Sequence, residues 1–128
     1  MGTGTGIARV RGLGSARSGV SHWWLQRVTS ASNMALILWF LLSLAGLPDL
    51  ERDTVVSWLR SPLNSVPLIL LVISTFWHFR LGLQVIIEDY VQVEGNKVAW
   101  ILGLNFYAIG MAALAIFSIL RVAFGSAA

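Results

Sequence analysis

The sequence predicts an all-α integral membrane protein, a bundle of three transmembrane helices, and three observations carry that prediction. Hydrophobic residues make up 56% of the 128 and charged residues 12%, with a mean hydropathy of +0.74, a balance foreign to soluble domains of this length. Three stretches, at about residues 29–47, 67–87 and 98–124, each hold the roughly 20 largely apolar residues that one crossing of a bilayer takes. Between them gather turn formers and charges, at Gly46, Leu47, Pro48 and Asp49 and again over residues 88–97, where loops are expected.

Those spans leave no room for a soluble catalytic domain. The chain has no cysteine, which excludes a disulfide framework, thiolate zinc and iron–sulfur ligation by its own residues. The formal charge is +3 and the isoelectric point is near 10.2. The basic residues are thinly spread, however, so the charge is read as topological and no nucleic-acid partner is expected.

Taken in order, residues 1–19 are rich in Gly, Ser and Arg and lack any acid, the makeup of a flexible cytoplasmic tail. The same makeup also resembles a weak mitochondrial transit peptide. The stretch is short and has no clear amphipathic face, so the bacterial inner (plasma) membrane is preferred to the mitochondrial inner membrane. Residues 20–128 form the membrane domain. It opens with Trp23, Trp24, Gln26 and Arg27, a mixture of amphipathic rings and polar groups favoured at a membrane interface, and the first span follows.

Residues 49–66 carry Asp49, Glu51, Arg52, Asp53 and Arg60, and Trp58 and Leu59 suggest a short interfacial helix before Pro62 and Pro67. The second span is apolar apart from small polar residues, His78, Arg80 and Gln84; Asn105 and Tyr107 interrupt the third. No internal repeat is visible, and no span has a central proline of the kind that breaks transporter helices. Arg9, Arg11, Arg17, Arg27 and Lys97 fall on one side of the membrane, against Arg52, Arg60 and Arg121 on the other. That excess predicts a cytoplasmic N-terminus.

The chemistry concentrates in HFRLGLQVIIEDY, residues 78–90. Ionisable side chains at membrane depth are costly and mark functional sites. On a helix, His78, Gly82 and Asp89 share one face, with Asp89 roughly 16 Å further along the axis and Arg80 about 200° round from His78. An imidazole can ligate haem iron, and Gly82, one turn on, admits the close approach of a flat macrocycle or of another helix. A membrane histidine can equally hydrogen-bond to a neighbouring helix. A phenol such as Tyr90 can donate to a quinone carbonyl, and Asp89 can tune charge or assist proton delivery; both can also be plain interface residues. Arg80 suits a haem propionate, a lipid phosphate or a partner carboxylate.

This pattern resembles the small membrane-anchor subunits, usually lettered D, of succinate dehydrogenase (respiratory complex II). His78, Gly82 and the pair Asp89 and Tyr90 stand at the family's spacing, and residues 22–33, with Arg27, are similar to the start of the first helix in alphaproteobacterial anchors. The resemblance implies a complex in which a flavoprotein with FAD oxidises succinate, an iron–sulfur subunit passes electrons to ubiquinone, and two anchor chains share a haem b. It places no succinate chemistry on this chain. It implies His78 as one axial ligand of the haem iron, the other coming from the second anchor subunit, with Tyr90 at ubiquinone, Asp89 beside it and Gly82 packing close to the haem. The alternatives are a haem-free structural anchor, or a small assembly or transport subunit.

Overall fold

The computed structural model describes residue 6 and residues 19–125; the expected N-terminal tail, with Arg9, Arg11 and Arg17, lies outside them apart from Gly6 and Gly19. Four helices follow one another among the described residues: α1 (Gly19–Ala45), α2 (Arg52–Arg60), α3 (Pro62–Tyr90) and α4 (Glu94–Phe124). There is no strand among the described residues. The three long helices have 27, 29 and 31 residues. At 1.5 Å per residue they are about 40–47 Å long, more than the ~30 Å of a hydrocarbon core, so their ends reach into the interfaces.

The helices outrun the apolar stretches that predict them. α1 takes in the whole Trp-rich entry, because nothing in residues 19–30 breaks a helix and the Thr29 and Ser30 hydroxyls donate back to the Leu25 and Gln26 carbonyls at 2.7 Å and 2.9 Å, a bond that helical Ser and Thr make readily. It ends at Ala45, before the turn at Gly46. The expected polar loop at 88–97 shrinks to residues 91–93. Glu94 begins α4 as an acid in its first turn, favourable to the helix dipole, and pairs with Lys97 at 3.4 Å one turn on. α3 starts at Pro62, where a proline has no amide hydrogen bond to lose, and carries Pro67 within its second turn.

α3 is the central helix: α1 and α4 each pack on it and not on one another, while α2 lies against α3 and α4. Consecutive long helices alternate in direction, so the amino-terminal half of α1 lies beside the carboxy-terminal half of α3. Only Leu71 and Leu81 on α3 and Leu104 and Ala108 on α4 are buried apolar residues, with Ser65 the one buried polar residue among those described. Long apolar faces stay open, as they do where lipid or another membrane chain is the solvent. The interfacial helix α2 is held at its end by rings, Trp58 stacking on Trp39 with centroids 5.8 Å apart and tilting against Phe40 at 6.1 Å.

Candidate functional site

One face of α1 presents His22, Gln26, Thr29 and Asn33 at spacings of four, three and four residues, which puts them in a single stripe. The stripe meets α3. Thr29 Oγ1 lies 3.1 Å from His78 Nδ1, Ser30 Oγ lies 3.5 Å from the same nitrogen, and the Ser74 hydroxyl donates to the Thr29 carbonyl at 3.5 Å. Gln26 sits one turn nearer the amino terminus, opposite Gly82. A Cβ built on Gly82 would meet only Gln26 Nε2, at 3.8 Å, an ordinary contact. Packing of α1 within this chain therefore does not itself require a glycine there.

His78 is half-buried, and its bonds to the protein all go through Nδ1; Nε2 has no hydrogen-bond partner among the described residues. That edge of the ring is free for a further ligand. Three polar atoms in the α1 stripe are buried without a partner among the described residues: His22 Nε2, Gln26 Oε1 and Asn33 Oδ1. Such atoms are uncommon in native folds and ask for an interior water. No group of three His, Asp or Glu side chains converges among the described residues; a single axial imidazole needs no such group. An imidazole held by one nitrogen and open at the other fits the ligand of a haem iron.

Arg80 belongs to the other side of α3. Its Nε–H donates to Asn105 Oδ1 on α4, and its guanidinium lies 5.6 Å from the centroid of the Trp77 ring. Together with Ile73, Phe76 and Ala108 these three residues line a largely apolar cavity of about 370 Å³. Phe79 and Tyr107 meet close by, their centroids 6.3 Å apart.

Asp89 and Tyr90 are the last two residues of α3. Both are exposed, Tyr90 by 81%, and neither side chain makes a hydrogen bond or ion pair among the described residues. Tyr90 lies twelve residues from His78, about 18 Å along the helix axis. The structure thus brings His78 together with Thr29, Ser30 and the neighbourhood of Gly82, sets Arg80 with Asn105, and leaves Asp89 and Tyr90 open at the helix end. Thr29 and Ser30 were not singled out by the sequence reading; the signal for them is the polar spacing along α1.

These features define a multi-pass membrane protein in whose second long helix a histidine, His78, is tethered at one nitrogen and open at the other. The model of the succinate dehydrogenase/fumarate reductase transmembrane subunit family matches residues 1–120, and the chain belongs to that family. It is similar to the succinate dehydrogenase hydrophobic membrane anchor subunit of Rickettsia bellii, with 32% identity over 80% of this chain and 82% of the relative. It is similar also to that of Paracoccus denitrificans, with 28% identity over 90% of this chain and 88% of the relative. The succinate dehydrogenase membrane anchor subunit of Reclinomonas americana shares 34% identity over 73% of this chain and 80% of the relative. No solved structure matches the chain.

Proposed function

We propose that the chain is the membrane anchor of a succinate:ubiquinone oxidoreductase, in which His78 Nε2 is one of two axial ligands of a haem b shared with a second anchor subunit. Tyr90 and Asp89 contribute to the ubiquinone site, and the iron–sulfur and flavoprotein subunits dock on the same membrane face. The observation that carries this reading is the His78 ring, with Nδ1 tied to α1 and Nε2 left without a partner at membrane depth. Two imidazoles would leave the iron no open position, which suits electron storage and transfer and not oxygen binding.

The chain's own residues bind and position. The Tyr90 hydroxyl, exposed at the helix end, donates to a quinone carbonyl, and Asp89 beside it holds or passes a proton at the point where quinone reduction requires one. Arg80 is assigned a propionate or lipid contact, since its bond to Asn105 leaves further guanidinium N–H groups to donate. Residues 20–128 act as the membrane domain of a bacterial inner-membrane protein whose amino terminus is cytoplasmic, as the excess of basic residues on that side supports.

The test is a dithionite-reduced minus oxidised visible spectrum of the purified complex, native and His78→Ala. The expected result is a b-type α band in the native complex that is missing from the assembled variant. A native complex without that band, or a variant that keeps it, overturns the haem assignment.

A further inference from the structure

We infer that Thr29, with Ser30 behind it, is the positioning residue that fixes which nitrogen of His78 carries the ring proton and so presents the Nε2 lone pair for ligation. This rests on the haem reading above and adds to it a role for α1.

A threonine hydroxyl has one hydrogen. Thr29 Oγ1 lies 2.7 Å from the Leu25 carbonyl oxygen and 3.2 Å from that of Gln26. A carbonyl can only accept, so the hydroxyl hydrogen must lie between the two oxygens at 2.7 Å; turned towards His78, it would leave two acceptors pressed together. Ser30 is in the same position, its Oγ 2.9 Å from the Gln26 carbonyl. Both hydroxyl protons are therefore committed to the α1 backbone, and both oxygens offer His78 Nδ1 only lone pairs, at 3.1 Å and 3.5 Å. A ring nitrogen facing two acceptors must be the donor. In the neutral ring the proton then sits on Nδ1 and Nε2 is bare, the form an iron takes as ligand.

An acceptor on the far nitrogen of a ligating histidine fixes the tautomer and the ring orientation and raises ligand basicity, and losing such a partner commonly costs 10–100-fold in metal affinity or activity. A more basic ligand favours ferric over ferrous iron, so loss of the acceptor raises the reduction potential of the haem. Both hydroxyls are i−4 back-bonded at the same depth of the membrane, where little water competes with them.

The experiment uses the complete purified complex in four forms: native, Thr29→Val with Ser30→Ala, Thr29→Ser with Ser30 retained, and His78→Ala. Assembly is checked in each by succinate oxidation with an artificial acceptor. The readouts are potentiometric titration of the α band and the ferric low-spin EPR spectrum. Valine keeps the shape of threonine without the acceptor; serine keeps the acceptor without the methyl group. The expected result is a potential raised in the Val/Ala form, by about tenfold in the ferric–ferrous equilibrium or about 59 mV for one electron, with a shifted EPR spectrum, or haem lost outright, while Thr29→Ser stays native. A Val/Ala form indistinguishable from native overturns the inference and leaves His78 as ligand. Loss of the native behaviour in both threonine variants also overturns it, because shape and not the acceptor would then matter. No haem in the native complex, or a band surviving in His78→Ala, sinks the haem reading and this inference with it.

Discussion

The two seams that α3 makes with its neighbours are built from opposite materials. Against α1 it sets His78, Ser74 and Gly82 opposite Gln26, Thr29 and Ser30, and three buried polar atoms in the α1 stripe have no partner among the described residues. Against α4 it sets aromatic and aliphatic side chains around a single polar pair, Arg80 and Asn105, with the small Ala108 buried between. Each orphaned polar atom kept from water costs about 1–3 kcal/mol. A seam shaped for stability alone would not hold three. The α4 seam is where this chain packs, and the α1 seam is where His78 keeps one ring nitrogen open to a further ligand.

The strongest way to break that contrast is to crowd the α4 seam. Ala108 is 4% exposed, and small residues are what allow membrane helices to approach closely. Ala108→Phe should destabilise the packing of α4 on α3 by about 3 kcal/mol, the upper end of ordinary overpacking costs. The measurement is thermal inactivation of the complex in detergent, where a melting temperature equal to native would mean that this seam is loose. Next in size is Asn105→Ala, which strips the Arg80 guanidinium of its partner on α4. The expected loss is about 2 kcal/mol, typical of a charged group left short of a hydrogen bond. The α band decides between the two contacts proposed for Arg80: left native, it assigns a lipid; shifted, it assigns a haem propionate.

Smaller again is Tyr90→Phe at the open end of α3. Loss of one net hydrogen bond, about 1 kcal/mol, should raise the KM for a short-chain ubiquinone roughly fivefold and leave both the spectrum and the thermal stability native. An unchanged KM would remove Tyr90 from the quinone site.

The fold was legible because lipid imposes a simple demand, and apolar stretches of the right length answer it. The helix ends were less so. The sequence reading placed the start of the first span near Thr29, since Trp23, Trp24 and Arg27 look like an interface. The structure continues the helix back to Gly19, because an interfacial residue can be helical as readily as a buried one. Within the site, His78 and Arg80 stood out through the cost of placing them in a membrane. Thr29 did not, being uncharged, able to satisfy its hydroxyl on its own helix and 49 residues away from the histidine it touches. Its role depends on the register between α1 and α3, which periodicity in either helix alone does not contain. The same holds for Asn105, whose partner Arg80 is 25 residues away.

The smallest effect is also the one that separates the seams most cleanly. Gln26→Met replaces an amide whose Oε1 is buried and unpartnered with an apolar side chain of similar length. If only this chain and lipid surround that atom, removing an unmet acceptor stabilises the complex, by about 1 kcal/mol or less. The detergent melting temperature then stays level or rises slightly. A clear fall would mean that Oε1 accepts a hydrogen bond from a water held between α1 and α3. A methionine placed at an apolar position of the α4 seam has no such second outcome, because no buried acceptor there lacks a partner among the described residues. The direction of the shift, more than its size, therefore tells whether the polar face of α1 is completed by water within the seam.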